Sequence, residues 1–224
     1  MFETRSGVFL VAGLMFFALA FVVMGLLPWT IYRNVPEETV SQMIEKHGIV
    51  PEFVELAEKV PAKFKEYYGD CDASSFEAAL RRGHEVYVGE ACWHCHSQFV
   101  RPVSNEALRW GPVAHAREYQ NELQRPVLFG TRRVGPDLSR EAARRSNDWH
   151  IAHFHKPTSV VPVSVMPEYA WFFDSDGYPN RDGMAIITYV QWLGSWIEEY
   201  PYYQGEGPSG TGEIEKDKLD LSGI

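Results

Sequence analysis

An all-α fold carried by a single amino-terminal membrane span is the architecture this sequence predicts. Three observations predict it. No charged side chain occurs from Ser6 to Tyr32. Apolar residues recur at three- and four-residue spacing in most segments that follow. The long stretch between the helix that opens at Ser74 and the last helix is rich in proline, glycine and arginine and carries little strand signal.

The span comes first. "GVFLVAGLMFFALAFVVMGLLPW" is almost wholly apolar. At ~1.5 Å per residue, roughly 20 such residues cross the hydrocarbon core of a bilayer, so residues 6–32 suffice with some tilt. A cleavable signal peptide has a shorter apolar core and a small-x-small exit, and "LLPWTIYR" offers neither. Trp29 and Tyr32 stand where an interfacial aromatic belt belongs, and Arg33 follows as the next charge. Charge does not orient the span: Arg5 is offset by Glu3, and Arg33 by Glu37 and Glu38.

Residues 34–70 are predicted to be helical. "NVPEETVSQMIEKHG" places Val40, Met43, Ile44 and His47 on one face and stops at Gly48. "PEFVELAEKVPAKFKEYYG" repeats the pattern with Phe53, Leu56, Val60 and Phe64, bent or divided at Pro61. These helices either pack on the domain that follows or form a stalk. That domain is set at residues 74–203. It opens with a helix capped by Ser74 or Ser75, with a stripe of Phe76, Leu80, Gly83, Val86 and Tyr87. It closes with "RDGMAIITYVQWLGSWIEEY", where Ile187, Val190, Leu193 and Ile197 recur at helical spacing. Residues 204–224 are polar and glycine-rich and are expected to be a mobile tail.

The bulk numbers narrow the class. The net charge of −9 argues against a nucleic-acid partner. Aromatics at 14% exceed the core needs of a small soluble domain and suit burial against a flat cofactor, a membrane or another subunit. Three cysteines cannot make a disulfide framework.

Two of them stand in "CWHCH". Structural zinc wants four ligands in two pairs, but Cys71 is alone and His94 and His96 are too close to fan out. A thioredoxin-like dithiol follows a strand, whereas this pair follows a helix. Covalent haem needs only these five positions: Cys92 and Cys95 add across the porphyrin vinyl groups, and His96 lands under the iron. The opposite axial ligand is assigned to Met166 in "PVSVMPEYAW", about 70 residues downstream, where Pro167 keeps the chain extended. Met1, Met15 and Met24 belong to the anchor, Met43 precedes the domain and Met184 is assigned to the core. His150, His153 and His155 are the histidine alternatives. In "VGPDL", a turn at Gly135 and Pro136 can offer a carbonyl to the His96 ring N–H, with Leu138 pressing on the haem face. Gly83 and Tyr87 with Tyr189 and Trp192 fit a close crossing of the first and last helices.

In order, "GHEVY", "CWHCH", "VGPDL", "VMP" and "ITYVQWLG" resemble class I cytochromes c. "GEACWHCHSQFVRPV", "FGTRRVGPDLSR", "NDWHIAHFHKP" and "VVPVSVMPEYAW" resemble, more closely, the monohaem subunit (subunit II, FixO/CcoO family) of cbb(3)-type cytochrome c oxidases. Two departures stand out: residues 34–70 are longer than that family's connection, and "EAARRS" replaces its glycines after the proline–aspartate–leucine run.

The resemblance implies one covalent haem c on Cys92 and Cys95, ligated by His96 and Met166. It implies a single-pass protein of the bacterial inner membrane with its haem domain in the periplasm. It also implies a polytopic haem–copper catalytic subunit as partner and a cytochrome c, or a further cytochrome subunit, as electron donor. Arg101, Arg132 and Arg133 are candidates for haem propionates or the partner, since guanidinium forks suit carboxylates. Ser97 and Gln98 are expected to face the catalytic subunit near a bound calcium, and Trp149, His150 and His153 to serve an interface or a metal. The same plan serves the small subunit of nitric oxide reductases. An anchored stand-alone electron carrier is the alternative from another class; Gly7, Gly13 and Gly25, which admit a neighbouring helix, and the helical connection favour a docked subunit.

Overall fold

The computed structural model describes residues 5–197; the 204–224 tail lies outside them. The described residues form helices joined by loops, with only two isolated bridges, Glu38 with Asn121 and Phe173 with Pro179. The chain divides into an amino-terminal unit ending at Glu37 and a second beginning at Glu38.

The first unit is one helix, α1 (Arg5–Tyr32), of 28 residues, long and apolar enough to cross a membrane. None of its described residues is buried. Over Phe21–Leu26 it widens, so that the Leu27 N–H bonds Val22 O, five residues back. Pro28 accounts for this: it lacks an N–H and its ring crowds the preceding turn, which a wider winding relieves.

In the second unit α2 (Val40–His47) begins later than expected. Thr39 caps it, accepting from the Gln42 N–H while the Gln42 side chain reaches back, so Pro36, Glu37 and Glu38 precede the helix. Val40, Met43 and Ile44 are buried and His47 is exposed, narrowing the expected face. Pro61 divides the next stretch into α3 (Pro51–Lys59) and α4 (Pro61–Tyr68), the proline filling a first-turn position where no N–H is needed. These helices share one core with the helices after them. The Phe53 ring centre lies 5.1 Å from that of Phe64 and 5.0 Å from that of Phe76.

The long helix α5 (Ala73–Gly89) is capped by Asp72, not by Ser74 or Ser75. The Asp72 carboxylate accepts both of those serine N–H groups at 2.9 Å, a stronger acceptor than a hydroxyl at a site that favours negative charge. The closing helix α6 (Arg181–Trp192) is buried on every side from Gly183 to Trp192. Its stripe is therefore only part of its contact surface. Thr188 satisfies its hydroxyl on Met184 O, and Gln191 donates to Arg145 O. It ends at Leu193, before Gly194 turns the chain with φ +83°, so Ile197 lies beyond it.

The crossing of α5 and α6 is the centre of the unit. A Cβ at Gly83 would sit 2.2 Å from Ala185 O and 2.5 Å from Tyr189 Cβ, so only glycine permits the approach. Tyr87 and Tyr189 pack with ring centres 5.5 Å apart. Beside them Gln98 donates to the Tyr189 hydroxyl at 3.1 Å, and Gln124 donates to Gln98 Oε1 at 3.0 Å. The polar side chains inside this core are thus paired with one another.

Candidate haem-binding site

The motif Cys92–Cys95 is a single helical turn directly after α5, entered through Ala91 in the left-handed region (φ 58°). Cys92 is buried and Cys95 exposed, both as free thiols. Burial pushes the Cys92 thiol up to about 12, with the Glu90 charge acting the same way. A redox dithiol relies on the opposite at its attacking sulfur, a thiolate stabilised near neutral pH.

His96 is held by peptide groups. Its Nδ1 lies 3.0 Å from Pro136 O, which accepts the ring N–H and leaves Nε2 available as a metal ligand. Tyr87 donates its hydroxyl to His96 O. The backbone of residues 94–97 is laced to the loop at 132–138: Arg132 N–H donates to His94 O, Gly135 N–H to Cys95 O and Leu138 N–H to Ser97 O. A Cβ at Gly135 would lie 2.2 Å from His96 Cε1, so the imidazole rests directly on a backbone without a side chain. Burial lowers the pKa of His96 against the opposing pull of the Pro136 carbonyl and the Asp137 charge, favouring the neutral ring that ligation requires.

These residues border a cavity of about 510 Å³, within the roughly 300–1,000 Å³ range of cofactor-sized pockets. Cys92, Cys95, His96, Pro136, Leu138 and Met166 all line it. Met166 is half-buried against the core on a loop whose turn is fixed by Ser164. Met184, by contrast, is 1% exposed inside the core. His150 and His153 line the cavity as well, whereas His155 is exposed and packs on Phe173.

Other sequence-predicted residues sit elsewhere. Arg132 and Arg133 do not line the cavity. Arg133 is buried in an ion pair with Glu106 at 2.7 Å and reaches Asp137 at 3.4 Å, and Arg101 is tied to the same Glu106 at 2.7 Å. Ser97 and Gln98 are buried rather than presented outward: Ser97 donates to Asp137 at 2.8 Å, and Gln98 belongs to the tyrosine network. The calcium expected beside them has no support. Among the described residues no cluster of three or more His, Cys, Asp or Glu side chains is placed to hold a metal ion.

The cavity's own charged groups were missed. Glu141, Arg144 and Arg145 line it, together with Trp110. Three of these come from "EAARRS", the run flagged only as a departure from the family pattern. Arg144 lies 3.4 Å from Glu141, and burial raises the Glu141 carboxyl to about 7 against both arginines. The Arg145 guanidinium stacks over Trp149 at 4.9 Å, and His153 stacks on Trp149 at 4.5 Å.

The residues present fit a haem. Apolar walls, two free thiols and two candidate axial ligands share one space. Trp110 Nε1, His150 Nε2 and His153 Nδ1 are buried polar atoms of that wall with no hydrogen-bond partner. Each such orphan costs about 1–3 kcal/mol unless an occupant satisfies it.

The family model described as cytochrome C oxidase, mono-heme subunit/FixO matches residues 3–181. None of the curated proteins searched matches the chain. With most of its length matched, and with the cysteine pair, His96 and Met166 bordering one haem-sized cavity, the chain belongs to the FixO family of mono-haem subunits of cytochrome c oxidase.

Proposed function

We propose that this subunit is an electron relay, anchored in the bacterial inner membrane by α1, with its haem domain on the periplasmic side. It takes an electron from a donor cytochrome and passes it to the haem–copper catalytic subunit of a cbb(3)-type oxidase, which reduces oxygen. The observation that carries this reading is the convergence of Cys92, Cys95, His96 and Met166 on one cavity.

Bound there, haem c supplies one-electron exchange at its iron. The chain's own residues do the rest. Cys92 and Cys95 provide the thioether sulfurs. Pro136 O fixes the His96 tautomer and ring angle through Nδ1, and Gly135 leaves room for the ring. Met166 offers a thioether, which favours a raised potential suited to electron transfer. Leu138, Phe154 and Val190 line the cavity with buried or half-buried apolar surface, which restricts water. No general acid, base or nucleophile enters this role.

The test is purification from native membranes in mild detergent. Co-elution of a haem-stained band of this size with a b-haem protein that consumes oxygen is the expected result. A solitary stained cytochrome would point to a free carrier, and co-elution with nitric-oxide-consuming activity to a different acceptor. A chain colourless after acid–acetone extraction would end the proposal.

A further inference from the structure

The cavity wall contains more hydrogen-bonding capacity than the protein uses. Trp110 Nε1, His150 Nε2 and His153 Nδ1 have no partner, and His150 is only 3% exposed. They arise from three places in the chain's packing. Trp110 lies near the end of a short helix (Glu106–Trp110), His150 and His153 lie on the helix Asn147–His155, and Arg144 and Arg145 lie on the loop between. An indole N–H can only donate, and each neutral imidazole donates from one nitrogen. The indole therefore calls for an acceptor, each imidazole adds a second donor in the matching tautomer, and the guanidinium groups of Arg144, which also pairs with Glu141, and Arg145 bring positive charge beside them.

We infer that Trp110, His150, His153, Arg144 and Arg145 form the seat for the carboxylate edge of the cofactor, the two haem propionates. This rests on the haem reading and replaces the assignment of Arg132 and Arg133, which are outside the cavity. The ionisable groups that line this space are Glu141, Arg144, Arg145, His96, His150 and His153, with the thiols of Cys92 and Cys95 and the phenols of Tyr87 and Tyr169. Two propionates and Glu141 would bring three acidic groups against two guanidinium groups, so one acid is the natural holder of a proton. The stack of Arg145, Trp149 and His153 keeps the cationic side of the seat in place. Donors pointed at an ionised carboxylate hold its pKa down. Iron oxidation puts a positive charge nearby and pushes in the same direction.

The experiment uses the full chain with its haem attached, in detergent, and follows the reduction potential against pH. Infrared difference spectra of haem labelled with ¹³C at the propionates are recorded beside it. The variants are Trp110→Phe, His150→Phe and His153→Phe, with His155→Ala as an exposed control on the same helix. Removing a donor raises the propionate pKa, so the inflection in the potential–pH curve moves to higher pH by at least a threefold change in proton affinity. The labelled carboxylate bands shift with it, and the control changes neither.

Unmoved inflections and bands in all three variants, with haem stain intact, would overturn the seat and leave the haem reading standing. An unstained parent chain would overturn the haem reading itself. Should His150→Phe fail to mature, Trp110→Phe, an aromatic replacement on another element, decides by the same criterion.

Discussion

Adding one methyl group at Gly135 tests the description of the histidine support most directly. In Gly135→Ala the new carbon would lie 2.2 Å from His96 Cε1 and 2.6 Å from both ring nitrogens. Carbon contacts settle near 3.5–4.0 Å, so the ring must retreat by roughly 1.3 Å or more, or the loop must. Retreat breaks the 3.0 Å bond from Nδ1 to Pro136 O. Losing that bond costs about 0.5–1.5 kcal/mol and overpacking about 1–3 kcal/mol. A total near 3 kcal/mol lowers the melting temperature of a domain of this size by roughly 6–12 °C. The assay is thermal unfolding of the detergent-solubilised chain followed by far-ultraviolet circular dichroism, with the visible spectrum recorded beside it. The expected spectrum shows a growing high-spin fraction as the imidazole leaves the axis. A melting temperature within 1 °C of the parent and an unchanged spectrum would refute the close contact.

Other outcomes follow from the same structure. Met166→Ala should abolish the weak near-infrared sulfur–iron band and lower the potential. Met184→Ala should keep the band and lose about 2–5 kcal/mol to a core cavity; the reverse assignment would show in near-infrared absorption. Glu141 carries a raised carboxyl, about 7 against an ordinary 4.5. The folded state therefore holds an extra proton between those values, and this group's contribution to stability falls as pH rises through that window, by up to ~3 kcal/mol. Denaturant unfolding of Glu141→Gln at pH 5 and pH 7.5 should show that dependence removed. Asp72→Ala should cost about 1 kcal/mol by loss of the α5 cap, and Asp72→Asn much less, measured by the same unfolding.

The anchor, the haem motif and the end helices are legible in the sequence because each depends on local pattern: an uncharged run, a fixed spacing, a helical period. The cap of α5 was misplaced because Asp72, Ser74 and Ser75, within four positions, can all cap, and only the carboxylate reaches two N–H groups. The extra helices at 40–68 gave their helical period but not their destination, because an amphipathic face does not announce what it covers. The same cover explains why α6 is buried all round. Arg132 and Arg133 were candidates for the propionates or the partner because guanidinium forks suit carboxylates. Spacing along a loop cannot reveal that Glu106, 27 positions upstream of Arg133, has already claimed a guanidinium. Arg144 and Arg145 were hidden for the converse reason: nothing local distinguishes an arginine facing a cavity from one facing water.

The lacing between residues 94–97 and 132–138 has a corollary for substitution. Its bonds run from peptide N–H to peptide carbonyl, so most side-chain replacements along either strip leave them untouched. Proline at a donating position or bulk at Gly135 strikes the lacing itself, and loss of the Tyr87 hydroxyl or the Asp137 carboxylate removes the side-chain bonds beside it. The chemistry around this histidine can thus be varied while its attitude stays fixed.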